Sequence, residues 1–434
     1  MPSSDRRTRT IRVDHLTRVE GEGALHLTVT GGQVTDLRLE LFEPPRFFEA
    51  LLRGREASEA PDITARICGI CPVAYQMSAA HALERAFGVT IDPAVRLLRR
   101  LYYCGEWIES HALHVHMLAA PDFFGCDSII TLAAKDRASV ERGLRLKKLG
   151  NAIVTRLGGR SVHPVGACLG GFTRVPTRSE LHGLREDLLR AGEDAVACVR
   201  WVAGFDLPDR TADIEFVALR HPDEYPMNEG RIASTKGLDG ASDAFDEWFE
   251  EHQVPHSNAL HARVKGRGAY FLGPLARVNL NWDRLGPTVQ EIARGTGIPW
   301  PNSNPHTGVV ARAVEILYAI EEARRIVDLY EPPAAPHVRV TPRAGAGRAI
   351  TEAPRGSLYH AYEVDAQGII RSARIVPPTS QNQAQIEADL RALAPEILRL
   401  SPADARRLCE VAIRNYDPCI SCSTHFLRLE IEHA

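Results

Sequence analysis

A chain of 434 residues with 44% hydrophobic and 25% charged side chains has the balance of an ordinary soluble globular protein. Its net charge of −3 offers no basic surface for nucleic acid or an anionic membrane. Nine cysteines, odd in number and scattered along the chain, exclude the pattern of a secreted disulfide framework, so a reducing, cytoplasmic setting is expected.

Met1 to His15 is polar and basic, without the apolar core of a signal peptide. No run is apolar enough for long enough to span a bilayer. At about 150 residues per domain the length suggests about three domains, with one large domain also allowed.

Residues 10–43 read as β-structure. Leu25, Leu27 and Val29 alternate with polar residues, Gly31-Gly32 signals a turn, and Leu37, Leu39 and Leu41 alternate again, so a hairpin is expected. Just ahead of it Glu20 lies between Val19 and Gly21, either as a solvated turn residue or as a carboxylate facing the core. Residues 44–57 switch to a helical period opened by Pro45, with Phe47, Phe48, Leu51 and Leu52 on one face and Glu49 at the surface.

The stretch Arg66-Ile67-Cys68-Gly69-Ile70-Cys71-Pro72 follows. Pro72 suits the first position of a helix reaching about Phe87, which puts Cys71 at a helix N-terminus. Exposed N–H groups and the positive dipole end there favour thiolate. Asp92 and Pro93 start a further helix running toward Leu118, with His111, His114 and His116 on its later turns read as structural histidines. Residues 133–157 are helical up to Gly158-Gly159. The glycine-rich loop from Arg160 to Phe172 lacks the Gly-Lys-Ser/Thr of a phosphate loop, and Cys168 within it reads as a buried free thiol. Thr177-Arg178-Ser179-Glu180 is a capping box opening one long helix through Val199.

From 212 to 285 short strands are expected, including Ile214 to Leu219 and Ala269 to Leu272. Gly308 to Tyr330 is a strong helix. After Pro332-Pro333 the chain returns to β: Leu358, His360, Tyr362 and Val364 alternate, and Asp365 to Gly368 turns back into Ile369 to Ile375. Ahead of this hairpin, Pro354 and Gly356 bracket Arg355, which suits either a surface arginine or one aimed at a site. Thr379 to Asn382 leads into helices at about 383–398 and 402–415.

Cys419-Ile420-Ser421-Cys422 then forms a second C-x-x-C pair, at the other end of the chain from Cys68 and Cys71. Four thiolates suit zinc, copper(I), nickel or an iron–sulfur cluster. In a small zinc module the two pairs lie only tens of residues apart. A metal held by both ends of a long chain is more like an active site than a local staple.

Arg66-Ile67-Cys68-Gly69-Ile70-Cys71, Glu352-Ala353-Pro354-Arg355-Gly356 and Asp417-Pro418-Cys419-Ile420-Ser421-Cys422-Ser423-Thr424-His425, with Thr17-Arg18-Val19-Glu20-Gly21 before them, together resemble the large, catalytic subunit of a nickel–iron hydrogenase. The resemblance spans essentially the whole chain. It implies one large α+β domain: a mainly helical core bundle (about 45–205 and 305–330) with antiparallel β-hairpins and sheets at its periphery (about 10–43, 212–285 and 337–376). C-terminal helices and the metal motif would follow at about 383–425, with a removable tail at 426–434.

It further implies that Cys68, Cys71, Cys419 and Cys422 bind nickel, and that Cys71 and Cys422 bridge to an iron carrying carbon monoxide and cyanide. Cys419 would be the first proton acceptor, Glu20 the next, and Arg355 an electrostatic group over the open position. Thr379 would donate to a cyanide, and Glu49 and His425 would hold a magnesium ion. Tyr75 stands where many members have a histidine, and His114 where membrane-bound uptake enzymes usually have an aspartate. With the short length, this resembles the cytoplasmic bidirectional group coupled to NAD(P) or a deazaflavin, and the NAD(P)-linked branch is the one expected.

Cys104, Cys126, Cys168, Cys198 and Cys409 show no cluster spacing, so the iron–sulfur clusters belong on a small partner subunit. FAD and nucleotide sites belong on diaphorase subunits, and a maturation chaperone and an endopeptidase are implied as well. A hydrogen-sensing subunit, or a cofactor-less relative of the complex I type, is the alternative. The latter has lost the cysteines that this chain keeps.

Overall fold

The computed structural model describes residues 8–42 and 47–424. Strands β1 (Thr8–Val13), β2 (Gly23–Thr30) and β3 (Gln33–Leu41) form an antiparallel sheet in chain order. Leu25, Leu27 and Val29 of β2 are buried and alternate with partly exposed residues, as a half-buried strand requires. The expected hairpin is therefore the β2–β3 part of a three-stranded sheet.

Helix α1 (Phe48–Leu52) is shorter than expected. Phe48 and Leu52 are buried, while Phe47 and Leu51 are exposed. Each pair has i,i+4 spacing, and a helix this short buries just one such pair. The expected start at Pro45 lies outside the described residues.

Cys71 is the N-cap of α2 (Pro72–Phe87), with Pro72 at its first position. This helix is buried on nearly every side, so it lies inside the protein rather than on its surface. Helix α3 (Pro93–Leu113) starts where the Asp92 side chain accepts from Ala94 N, and it passes into a π-helical turn, His114–Ala119. Helix α4 (Arg137–Gly158) lies along α3. Their backbones meet at Gly105 and Gly150, where a Cβ on Gly150 would stand 2.5 Å from the Gly105 carbonyl oxygen. Thr177 and Glu180 do form a capping box, but its helix ends at His182, and α5 (Arg185–Ala203) starts anew.

In the next segment Val217–Arg220, Arg231–Ser234 and Asp239–Gly240 form one small sheet, and β4 (Phe249–His252) pairs with β5 (His261–Val264). The strand expected at Ala269 to Leu272 is only a bridge from Phe271 to Phe216, and Pro274–Leu280 is helical. Helix α6 (Gly308–Leu329) packs on α3 and α5 and closes the helical core.

The later sheet has three strands, β6 (Gly345–Ala353), β7 (Gly356–Val364) and β8 (Ile370–Val376), in chain order. Alternation along β7 does not divide core from solvent: Leu358, Tyr359 and His360 are all buried. Helix α2 packs against this sheet, and an aromatic cluster with Phe245 stacked on Tyr359 packs there as well. A strand covered on both faces loses its polar side. Helices α7 (Pro378–Ala392), α8 (Pro402–Asn415) and α9 (Ile420–Ser423) end the described chain. One hydrophobic cluster runs from Ile11 in β1 to Cys422 in α9. The architecture is α+β, a helical core with small antiparallel sheets, and no helix among the described residues is long and apolar enough to cross a membrane.

Candidate metal centre

The two C-x-x-C pairs meet. One sulfur from each of Cys68, Cys71, Cys419 and Cys422 lies within 4.8 Å of the other three, and all four residues are buried. Cys68 and Cys419 stand 3.5 Å apart, Cys71 and Cys422 3.8 Å, and Cys419 and Cys422 2.7 Å. All four are free thiols.

Such crowding sets their ionisation. Hydrogen bonds from Cys419, Cys422 and Cys71 draw Cys68 well below the ordinary thiol value. Burial, with Cys422 beside it, pushes Cys419 well above. Four buried sulfurs this close cannot all carry charge unless a cation neutralises them, and a soft transition metal is the cation that thiolates select. The donor set therefore fits a soft transition metal, the expected nickel included.

The local fold explains the convergence and corrects one expectation. The first N–H groups of α2, at Val73 and Ala74, do not serve Cys71. They donate to the Glu106 carboxylate of α3 at 2.6 and 3.1 Å. Cys68 Sγ does receive backbone N–H groups, from Ile70 at 3.3 Å and Cys71 at 3.2 Å.

Glu20 faces the centre rather than solvent. Its backbone carbonyl accepts from Ile420 N at 2.9 Å, which stitches the N-terminal segment to α9. Its Oε2 accepts from Cys419 Sγ and from Ser421 N, each at 3.1 Å, and its Oε1 accepts from Ser421 Oγ at 2.5 Å. Arg414 of α8 holds the preceding loop in place. It donates to Thr17 O at 3.1 Å and grips Asp122, which also binds Arg18.

Arg355 occupies the two-residue turn between β6 and β7, where Ala353 pairs with Gly356. A hairpin tip carried by a packed sheet places its guanidinium in the interior, 3% exposed. Asp417 takes a left-handed conformation (φ 54). Arg355 Nε donates to the Asp417 carbonyl at 2.6 Å and Nη2 to its Oδ1 at 3.1 Å, while Nη1 reaches Ser110 Oγ at 3.4 Å. Burial would lower the arginine's pKa, but Asp417 and the cysteine sulfurs outweigh burial and hold it well above its ordinary value. Thr379, in the first turn of α7, accepts from Cys419 N at 3.0 Å through Oγ1. Its own hydroxyl hydrogen stays available to donate.

Glu49 is placed against β8, where its Oε1 accepts from Ile375 N at 2.7 Å. His425, its expected companion, lies outside the described residues, as does the tail at 426–434. Tyr75 is buried beside the cysteine sulfurs, and burial with the Cys422, Cys71 and Cys419 sulfurs pushes its hydroxyl well above the ordinary phenol value. His114 does not pair with Arg355: Nε2 bonds the Arg414 carbonyl at 2.8 Å, and burial holds the ring neutral. His111 bonds Glu315 and His116 bonds Cys198, so all three histidines have structural roles. Cys168 is partly exposed rather than buried. Asp417, Ser421 and Ser110 were not singled out by the sequence; the first two lie within the C-terminal motif, and Ser110 carried no signal.

Fold and site define a protein built round a buried four-cysteine centre suited to a soft metal. The nickel-dependent hydrogenase profile matches residues 46–149 and 272–425. Sulfhydrogenase 1 subunit alpha of Pyrococcus furiosus is 34% identical over 423 residues, covering 96% of this chain and 98% of the relative. NAD-reducing hydrogenase HoxS subunit beta of Cupriavidus necator is 28% identical over 480 residues, covering 97% and 95%. Among solved structures, an NAD+-reducing [NiFe]-hydrogenase in the H2-reduced state superposes with a TM-score of 0.87 at 27% identity, covering 96% of this chain and 99% of that one. The NiFeSe hydrogenase of Desulfomicrobium baculatum shares the fold, with a TM-score of 0.79 at 23% identity, covering 96% and 100%. The chain belongs to the nickel-dependent hydrogenase large-subunit family.

Proposed function

We propose that this chain is the catalytic subunit of a nickel–iron hydrogenase that cleaves dihydrogen reversibly, with NAD(P) as the final electron acceptor. The observation that carries the proposal is the meeting of four buried thiols from both chain ends, with Glu20 bonded to one of them. Cys68, Cys71, Cys419 and Cys422 would hold nickel, and Cys71 and Cys422 would be shared with an iron bearing carbon monoxide and cyanide. When bound, the metals supply an electron-pair acceptor for heterolytic cleavage.

The chain's own groups handle the proton. Cys419 Sγ takes it and passes it to Glu20 Oε2, which lies at hydrogen-bond distance, 3.1 Å. Ser421 N and Oγ fix that carboxylate. Arg355 keeps its charge throughout, so it acts as an electrostatic and positioning group rather than a base. Asp417 holds it in place. The Thr379 hydroxyl would donate to a cyanide, and Glu49 with His425 would hold magnesium.

Electrons need an exit. Among the described residues the five other cysteines form no further metal-ligating group. The clusters would sit on a small partner subunit, and FAD and NAD(P) on diaphorase subunits in the cytoplasm. A maturation chaperone and an endopeptidase acting on residues 426–434 would complete the set. The likeness to the NAD+-reducing enzyme supports this acceptor.

The test is metal analysis, infrared spectroscopy and turnover of the assembled complex. Equal nickel and iron in this chain once separated from the cluster-bearing subunit, bands from carbon monoxide and cyanide, and sustained dihydrogen-dependent NAD(P) reduction by the complex are expected. Zinc on the cysteine sulfurs, or no metal there, would overturn the centre. Both metals without sustained turnover would indicate a hydrogen sensor.

A further inference from the structure

We infer that His256, His261 and Glu387 form a second metal site, remote from the cysteines in sequence, that takes one zinc(II) ion with water completing its coordination. One ring nitrogen from each histidine and one oxygen of Glu387 lie within 4.8 Å of one another. Zinc bonds of about 2.0–2.1 Å set tetrahedral ligands about 3.4 Å apart, so small side-chain rotations close the three on an ion.

The second observation is an orphan. His261 is buried, 2% exposed, and its Nε2 has no hydrogen-bond partner among the described residues. A neutral imidazole keeps on one ring nitrogen the lone pair that a metal takes.

Glu387 is already oriented. Its Oε1 lies 2.8 Å from His256 Nε2 and accepts from Leu39 N at 3.3 Å, and Arg391 stands 3.9 Å from its other oxygen. Outer contacts of this sort steady a metal ligand. Two imidazoles and one carboxylate match a zinc set with an open position, and they offer too few oxygens for calcium or magnesium. His256 is partly exposed, which leaves an entry path. The ion would pin the β4–β5 hairpin to α7, the helix whose first turn carries Thr379. The site shares no residue with the hydrogenase centre.

The assembled, nickel-loaded enzyme is dialysed against EDTA and then titrated with zinc(II) in competition with a chromophoric chelator. One equivalent is expected to bind, with zinc-edge X-ray absorption showing imidazole and oxygen scatterers and no sulfur. Glu387→Gln and His261→Gln should each weaken binding by more than the about 10–100-fold that loss of an outer contact costs. No bound zinc, zinc on sulfur, or unchanged affinity in both variants would overturn the site. If the variants fail to fold, the absorption spectrum of the wild-type enzyme decides the matter alone.

Discussion

At the scale of single residues, the proposed chemistry is concentrated where Glu20 touches Cys419. Cys419→Ser is expected to abolish dihydrogen cleavage, read by hydrogen–deuterium exchange; wild-type turnover would remove Cys419 from the chemistry. Glu20→Gln preserves shape and the bond from Ser421 N but removes the base. It should slow proton exchange by about a hundredfold or more, within the range a positioned acid–base group contributes, with nickel and iron still bound by metal analysis. Unchanged exchange would take Glu20 out of the relay. Glu20 was ambiguous in the sequence because its neighbours are a valine and a glycine. Its role depends on α9, a segment from the far end of the chain, coming to lie against it.

Secondary-structure elements carry the stability. Because α3 and α4 touch through backbone at Gly105 and Gly150, Gly150→Val should push the helices apart and lower stability by about 1–3 kcal/mol, seen as a lower denaturant midpoint. Across the α3–α6 interface, His111 bonds Glu315 at 2.9 Å, and Arg277 reaches the same carboxylate at 2.7 Å. Burial lowers His111 to about 4, so the unfolded chain takes up this proton first as the medium is acidified. Its contribution is complete above pH ~6.5 and is lost as pH falls toward 4, on the order of 3 kcal/mol. Glu109, raised by burial to about 7, works in the opposite sense. The useful measurement is therefore the stability difference between wild type and His111→Gln, expected to be greatest near pH 7.5 and to shrink toward pH 4. A difference independent of pH would mean that His111 is not held neutral.

For the whole molecule, a metal held by the four cysteines would join the two ends of the chain. Binding that occurs only in the folded state stabilises it, on the order of 4 kcal/mol at a thousandfold excess over Kd. Metal-free protein should therefore melt at a lower temperature and be cut by protease near residues 417–424 and 66–71, whereas the loaded enzyme resists. Equal digestion of both forms would mean that the ends meet without help from the metal. Nearly every side chain around the centre is already bonded within the protein, so the chain alone prepares much of the site. Cys419 is already paired with Glu20 and with Thr379, Ser421 with Glu20, and Arg355 with Asp417.

The sequence by itself determined the chemistry available: two C-x-x-C pairs, an arginine between proline and glycine, and a carboxylate in a short N-terminal motif. It also determined the elements whose periodicity is strong, such as the β2–β3 hairpin, α2 and α6, because local pattern and burial agree there. Tertiary structure decided which donors reach which acceptors. Glu106 takes the free N–H groups of α2 from Cys71, backbone amides turn to Cys68, and Asp417 rather than residue 114 grips Arg355. It also covered β7 on both faces and cut the helix after Thr177 short. Residue type and spacing are properties of the chain, but a hydrogen bond between distant segments exists only once packing has chosen among competing partners.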